Sequence, residues 1–236
     1  MTAVSGSSDL QRIKEEIIFG MKVLRGEGVL EQNMGHLSYR LDDGNICMIG
    51  HLHDKAKTFD EMGPEDMVVI DPDGKLVEGT LNPVGERVIH TAVLAARPDV
   101  RSVIHAHPKT SMLFGITGQP ILPVYMNATI FAPSVPILDY AAQIDTPELG
   151  RQVAETLGNN YALLLRGHGT VSVGADIREA VVVAVMLEAA ADLQWRASVL
   201  GTPRPVRMDE LDGRNVKGTK HAHNVANQWA FYSQKY

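Results

Sequence analysis

The chain has 236 residues, enough to bury a sizeable core, and its 44% hydrophobic and 21% charged residues are typical of a soluble globular protein. A formal net charge of −6 gives no reason to expect nucleic acid or an anionic membrane as a partner. The single cysteine, Cys47, excludes an internal disulfide and a cysteine-rich metal cluster. The N-terminal segment lacks a signal-peptide pattern and Glu188 interrupts the longest apolar run, so we expect a cytoplasmic protein.

The first third of the chain predicts one helix followed by short strands. Apolar residues from Ile13 to Leu24 recur at helical spacing, and Gly26 and Gly28 end this helix. A Pro-Asp-Gly turn between two short apolar runs is typical of a β-hairpin. The predicted elements of this third are a helix in 9–30, strands in 35–41 and 46–50, and a hairpin in 66–79.

The rest of the chain alternates helices with strands. Thr146 and Asp176 are typical helix N-caps, and Arg97-Pro98 ends a further helix. This loose alternation predicts a single α/β domain over residues 1–236, with a mixed or mainly antiparallel sheet and flanking helices. The predicted elements are helices in 85–100, 146–160 and 176–201, strands in 101–108 and 161–174, and a C-terminal aromatic tail over 219–236 that forms a terminal helix.

Three of the nine histidines stand in contexts that favour a role beyond packing. His105 and His107 are separated by one residue at the end of an apolar strand, so both side chains project from one face, about 6 to 7 Å apart at Cβ. His168 lies between two glycines, which allow unusual backbone angles and close approach of another segment. Two imidazoles from one strand and a third from another form the three-nitrogen set of a catalytic divalent metal. Each histidine alone is also compatible with a surface or core position, so both interpretations stay open.

Together with Glu86, these motifs resemble the class II aldolase/adducin family. Glu86 begins a helix in PVGERVIHTAVLAARPD, VIHAHP follows about twenty residues later, and LLRGHGTVSVGADIREAVVVAVMLE supplies the third histidine before a long helix. The resemblance covers roughly residues 10 to 200. It implies a three-layer α/β/α fold around a central, mainly antiparallel sheet.

The resemblance also implies how the site is composed. His105, His107 and His168 would bind one divalent metal ion per subunit, Zn²⁺ or Mn²⁺, and Glu86 would act as a further ligand or as an acid/base. Members of this family are commonly cyclic homotetramers with the site at a subunit interface. We therefore expect a homo-oligomer that binds a small anionic carboxylate.

Several activities are compatible with this family. Its aldolases hold a substrate phosphate with a Gly-Asn-x-Ser turn, a Thr/Ser-Gly pair and two serines before the glutamate. Here His36 stands where the asparagine is expected, MIGHLHDKAKTF replaces the pair, and Pro83 and Val84 replace the serines. A phosphate dianion needs several hydrogen-bond donors, so these departures disfavour a phosphorylated sugar.

The departures favour a decarboxylase that acts on a hydroxylated aromatic or pyridine dicarboxylate, or on a related ring-derived acid. Glu86 is the first candidate for the acid that protonates carbon, and His36 and Tyr232 are the second candidates. The alternatives are a class II aldolase acting on a sugar or sugar-acid phosphate, and an adducin-like scaffold without turnover. The intact set of three histidines and a glutamate disfavours the scaffold.

Three cations are candidates for holding the second carboxylate of such a substrate: Arg87, Arg40 and Lys57. Each is also compatible with a solvated surface charge. The aromatic tail has two interpretations as well. It is either a helix that packs on its own domain through Trp229 and Phe231, or a lid over a neighbouring subunit's site that contributes a tyrosine.

Overall fold

One β-sheet runs through the part of the chain that the structure, a computed structural model, describes: residues 7–31, 33–211 and 219–236. Its strands are β1 (His36–Arg40), β2 (Ile46–Ile49), β3 (Met67–Ile70), β4 (Leu76–Glu78), β5 (Ser102–Ala106), β6 (Ile137–Leu138), β7 (Ala162–Leu165) and β8 (Gly169–Gly174). They lie in the order β4-β3-β2-β1-β5-β8-β7-β6, and every neighbouring pair is antiparallel except β6 with β7. The prediction of a mainly antiparallel sheet is confirmed.

Helices cover both faces of this sheet. The α-helices of the described residues are α1 (Ser7–Gly26), α2 (Arg87–Ala96), α3 (Lys109–Thr117), α4 (Pro147–Leu157), α5 (Ile177–Leu200) and α6 (Thr219–Lys235). Strand β1 shows the two faces, because Ser38 bonds to His90 of α2 whereas Leu37 lies against Gly20 of α1. Helix α2 packs with α4, and α5 packs with α1, α3 and α6, so the three-layer prediction is confirmed. Among these helices, none is both long and apolar enough to cross a membrane.

The two central strands, β1 and β5, set the positions of the histidines. Their antiparallel register places His36 directly opposite His105. On the other edge of β5, strand β8 places Thr170 opposite Ala106. Every residue of β5 is buried, because strands flank both of its edges and helices cover both of its faces. His105 therefore lies in the middle of the sheet, beside residues of both neighbouring strands, β1 and β8.

The segment 161–174 is not the one strand that the sequence predicted. It is a hairpin of β7 and β8 with a tight turn, in which the N–H of His168 donates to the carbonyl oxygen of Leu165 at 3.1 Å. Gly167 permits the turn, since its φ of +64° lies in the left-handed region. The correction moves His168 from the interior of a strand to the end of a hairpin.

Helix α3, directly after the His-x-His motif, was missed by the sequence analysis. Its first backbone N–H groups are bound by a side chain distant in sequence, because the Glu188 carboxylate of α5 accepts from the N–H of Thr110 and of Ser111, each at 2.8 Å. The same carboxylate accepts from the Ser111 hydroxyl at 2.7 Å. No local capping residue announces this helix, and the cap exists only once α5 packs beside it.

The C-terminal helix α6 packs on its own chain. The indole of Trp229 meets the ring of Phe19 edge-on, with centroids 5.2 Å apart, and Tyr232 is buried with 4% of its surface exposed. Phe231 remains 53% exposed. The packing interpretation of the tail is therefore confirmed for Trp229, and it is wrong for Phe231.

Replacing Glu188 with alanine tests the non-local cap. The variant leaves two helix-terminal N–H groups without their acceptor, and we expect the free energy of unfolding to fall by about 2 to 3 kcal/mol. Urea unfolding followed by circular dichroism measures it. Glu155→Ala, which removes an exposed carboxylate from α4, is the control and should change stability by less than about 0.5 kcal/mol. Equal losses in the two variants would contradict the cap.

Candidate metal centre

Four candidate ligand side chains converge at one end of the central strands. Glu86 is the N-cap residue of α2, His105 lies in β5, His107 follows β5, and His168 lies in the turn between β7 and β8. One nitrogen from each histidine and one oxygen of the carboxylate all lie within 4.8 Å of one another. The fold thus brings together four residues that are spread over more than eighty positions of the sequence.

Hydrogen bonds and short contacts orient the three rings. Nδ1 of His105 lies 3.0 Å from the carbonyl oxygen of Thr170, so Nδ1 carries the proton and Nε2 keeps its lone pair. That Nε2 lies 3.1 Å from Nε2 of His107 and 3.4 Å from Oε2 of Glu86. Nε2 of His168 lies 3.4 Å from the other carboxylate oxygen. All three histidines therefore present Nε2 to the same small space.

The two glycines beside His168 have different tasks. Gly167 supplies the left-handed backbone of the turn. A Cβ at Gly169 would lie 2.4 Å from the carbonyl oxygen of Ala106 and 2.8 Å from Cδ2 of His107. A side chain at this position would push β8 away from β5 and separate the rings. The sequence-based expectation of unusual backbone angles and close approach is confirmed, with one glycine responsible for each.

Glu86 is ionised in this environment. Burial raises the pKa of its carboxyl, but the contacts with His105 and His168 and the hydrogen bond from the N–H of Ile144, at 2.8 Å, together outweigh burial and hold the pKa well below its usual range. Burial, reinforced by the neighbouring imidazoles, lowers the pKa of His107 to about 4. At neutral pH the cluster therefore combines one negative carboxylate with a neutral His107 imidazole, the protonation states that metal ligation requires.

This donor set fits a divalent first-row metal ion. Ligand atoms about 2.1 Å from an ion lie roughly 3 to 4 Å from each other, and the observed separations of 3.1 and 3.4 Å agree with this spacing. Imidazole nitrogens with one carboxylate suit Zn²⁺ and Mn²⁺ alike. A cation bound between the facing nitrogen lone pairs would attract each of them and so offset their mutual repulsion.

A chain of three buried polar side chains backs the ligands. Nδ1 of His36 lies 2.6 Å from Nε2 of His90, whose Nδ1 lies 2.6 Å from the Ser38 hydroxyl. Burial, followed by the nearby imidazoles, holds the pKa of His36 well below its usual range and lowers that of His90 to about 3. The sequence analysis missed His90, although it follows Glu86 by four residues and therefore shares its helix face.

Arg40, expected to hold the substrate, is bound at the far end of β1. Its guanidinium donates to the carbonyl oxygens of Leu94, Pro98 and Val100 at 2.8, 2.8 and 2.5 Å. Arg40 lies four strand positions after His36, a distance of about 13 Å. Arg40 therefore joins β1 to the connection between α2 and β5, and its expected role in holding the substrate stays a prediction.

Arg87 and Lys57 are also engaged by oxygens of the protein. Nε of Arg87 donates to the carbonyl oxygen of Gly74 at 2.9 Å. Nζ of Lys57 lies 2.6 Å from the fully buried carboxylate of Asp66 and 3.1 Å from that of Glu65, and these hydrogen bonds raise the pKa of Lys57. Both cations are therefore engaged within the protein, and their expected contact with a substrate stays a prediction.

Two cavities, of about 270 and 520 Å³, open beside the ligands. Tyr232 lines neither, and burial raises the pKa of its hydroxyl to about 12, so the structure places it apart from the cluster. Both cavities are lined by Met34, Glu86, His107 and Gln143. The first cavity adds His36, His51 and His53, and the second adds His168, Lys109 and Met112. Gln143 had no sequence signal, because it reaches the cluster on a loop between β6 and α4.

Comparison with known proteins identifies the family. Residues 15–195 match the family described as Class II Aldolase and Adducin N-terminal domain, and the chain belongs to this family. A 5-methylthioribulose-1-phosphate/5-deoxyribulose-1-phosphate aldolase from Rhodospirillum rubrum is 31% identical over 186 residues, 78% of this chain and 81% of its own. A 3,4-dihydroxyphthalate decarboxylase from Rhodococcus jostii is 24% identical over 238 residues, 94% of this chain and 95% of its own. An aldolase II superfamily protein from Pseudomonas syringae has the same fold, with a TM-score of 0.83 and 20% identity over 98% of this chain and 94% of that one.

The family assignment confirms the resemblance inferred from the sequence motifs. The chain is a metal-dependent carbon–carbon lyase of this family, and its set of candidate ligands disfavours the adducin-like scaffold without turnover. Its relatives include both decarboxylases and aldolases of phosphorylated sugars, so family membership alone does not choose the substrate.

Removal of one imidazole tests the metal centre directly. We expect His168→Ala to lose most of its bound metal, because four candidate ligands from three segments become three from two. Metal content per chain, measured by elemental analysis after gel filtration, should fall from about one in the parent protein. His223→Ala, which alters an exposed histidine of α6, is the control and should keep its metal. Retention of metal by a folded His168→Ala would contradict the assignment.

Burial of His90 predicts a pH dependence of the metal-free protein. The folded state keeps this imidazole neutral down to about pH 3, whereas an unfolded histidine binds a proton near pH 6.5. Between these values the unfolded state binds more protons, so stability rises with pH, by up to about 1.4 kcal/mol per pH unit for one proton. Urea unfolding between pH 4.5 and 6.5 measures the slope, and a slope that is zero or negative would contradict it.

Proposed function

We propose that the protein is a divalent-metal-dependent decarboxylase of a hydroxylated aromatic or pyridine dicarboxylate, or of a related ring-derived acid. The observation that carries the proposal is the wall of the first cavity. At the positions where the phosphate donors of the family's aldolases are expected, it has His36, Ile49 and Val84. At these positions one imidazole and two aliphatic side chains offer a dianionic phosphate fewer donors than an amide and hydroxyls would, whereas they suit the ring and carboxylate of a planar acid.

The second cavity supports an aromatic substrate. Its volume of about 520 Å³ is within the range of small-molecule sites, and Met34 and Met112 contribute to its wall beside His168. Methionine side chains adapt in shape and make favourable contacts with aromatic rings. The relative from Rhodococcus jostii named for 3,4-dihydroxyphthalate decarboxylation is similar along nearly the whole of both chains, which supports the same class of substrate.

The reaction breaks the bond between a ring carbon and a carboxylate, which leaves as carbon dioxide, and the bonding electron pair stays on the ring until that carbon takes up a proton. A metal held by His105, His107 and His168 would supply Lewis acidity to the ring hydroxyl and the adjacent carboxylate. Glu86, ionised beside the imidazoles, balances the charge and completes the ligand set.

The proton donor is assigned to His36. Glu86, the first candidate from the sequence, carries no proton at neutral pH. His36 lines the first cavity, and its Nδ1 is engaged by His90. In the tautomer in which Nδ1 accepts a hydrogen bond, the proton of the neutral ring is on Nε2, from which it can be donated to carbon.

The test compares two reactions of purified protein loaded with Mn²⁺, Zn²⁺ or Co²⁺. We expect carbon dioxide release from 3,4-dihydroxyphthalate or a related acid, and no retro-aldol cleavage of ketose 1-phosphates. His168→Ala, verified as folded by circular dichroism, should lose at least about a hundredfold in rate, because the metal supplies several kcal/mol of charge stabilisation. Cleavage of sugar phosphates without decarboxylation would refute the proposal.

That outcome would favour the second candidate, an aldolase acting on a sugar or sugar-acid phosphate. The observation in its favour is the 31% identity to the aldolase from Rhodospirillum rubrum. The same metal ligands and Glu86 would serve it, since both reactions stabilise negative charge on carbon next to a metal-bound oxygen.

We further propose that the protein is a homotetramer with active sites at subunit interfaces. It would work in the cytoplasm and bind Zn²⁺ or Mn²⁺. Exposed apolar side chains support association between copies of the chain. Trp195, Val199 and Leu200 lie exposed near the end of α5, with 47%, 76% and 92% of their surfaces accessible.

A further inference from the structure

Lys109 differs from the three cations predicted from the sequence. It is the one lysine or arginine among the described residues that line the two cavities beside the metal ligands. It lies in the second cavity with His168 and Met112, and it follows His107 by two residues. A dicarboxylate that binds at the metal site through one carboxylate would therefore have its second carboxylate close to this ammonium group.

The backbone of Lys109 is held in place. It is the first residue of α3, and Pro108 precedes it as the N-cap residue with extended backbone. The next two N–H groups, of Thr110 and Ser111, are bound by the carboxylate of Glu188. Position 109 is consequently fixed relative to His107, while its long side chain stays 74% exposed and adjustable.

The partner of Lys109 is exchangeable. Its Nζ lies 2.6 Å from Oε2 of Glu31, which lines the same cavity. An ion pair this exposed contributes little net free energy, because solvent screens it and both side chains lose rotamer freedom. A substrate carboxylate can therefore replace Glu31 at small cost, and Glu31 in turn repels an anion that approaches without engaging the lysine.

We propose that Lys109 is the specificity-determining residue that receives the second carboxylate of the substrate, and that Glu31 holds it between turnovers. This inference rests on the proposed function, because it assumes a ring acid with two carboxylates. Lys109 selects dicarboxylates over monocarboxylates, and Glu31 sets how strongly it does so.

Two probes separate this role from general binding. 3,4-Dihydroxyphthalate carries both carboxylates, and 2,3-dihydroxybenzoate keeps the carboxylate next to a hydroxyl but lacks the second one. The affinities of metal-loaded protein for both acids are measured by titration calorimetry. Turnover is prevented by a metal ion that does not support the reaction, or by low temperature. Lys109→Gln should weaken the dicarboxylate about tenfold and the monocarboxylate less than twofold, consistent with the loss of one charged hydrogen bond.

Three further variants complete the design. Lys109→Arg should recover most of the dicarboxylate affinity, and Glu31→Gln should strengthen it roughly threefold by freeing the lysine. Lys75→Gln removes an equally exposed lysine from the turn between β3 and β4 and is the control for net charge. Its affinities should match those of the parent protein.

The outcomes distinguish the two proposals. Equal weakening of both acids by Lys109→Gln, or unchanged affinity for the dicarboxylate, overturns the role of Lys109 even if carbon dioxide is released. A selective loss of dicarboxylate affinity without any carbon dioxide release supports Lys109 as the carboxylate contact and refutes the decarboxylase. Failure of the metal-loaded parent protein to bind the dicarboxylate overturns both.

Discussion

The structure depends on holding three imidazole nitrogens and a carboxylate within 4.8 Å of one another. Neighbouring lone pairs repel, and a buried carboxylate is costly unless hydrogen bonds compensate it. The sheet supplies the rigidity for this arrangement, because β5 is paired on both edges by β1 and β8. The carbonyl oxygen of Thr170 fixes one ring, and the bare backbone of Gly169 lets β8 approach close enough to bring His168 to the other two.

The surroundings of the cluster explain why its charges take the states they do. The His36–His90–Ser38 chain is buried and neutral, so it supports the ligands without adding a competing positive charge. Glu86 keeps its negative charge because two imidazole contacts and the N–H of Ile144 outweigh the burial of its carboxyl. The cavities on either side then differ in what each adds to the shared lining: His36, His51 and His53 in the first, and Met112 with Lys109 in the second. That division suits a substrate with a polar chelating edge and an aromatic body.

The cations show the limit of sequence reasoning. Arg40, Arg87 and Lys57 stand near the motifs in sequence, and each is bound by carbonyl or carboxylate oxygens of the protein. Nothing in a local sequence reveals such partners, since they come from other segments. Lys109 directly follows the His-x-His motif. Local sequence does not reveal its position, because the helix that it begins is capped by the distant Glu188. Its position became meaningful only with the cavity around it.

The sequence by itself determined the fold class, the family and the residues of the candidate metal centre. His-x-His on a strand, a histidine between glycines and a helix-initial glutamate are local patterns whose geometry follows from strand and helix periods. Only the tertiary structure decided that His168 lies on a hairpin turn, that His90 backs His36, and which cation lines the cavities beside the ligands. These features arise from contacts between segments distant in sequence, where register, packing and competing hydrogen-bond partners select one arrangement among many that local patterns allow.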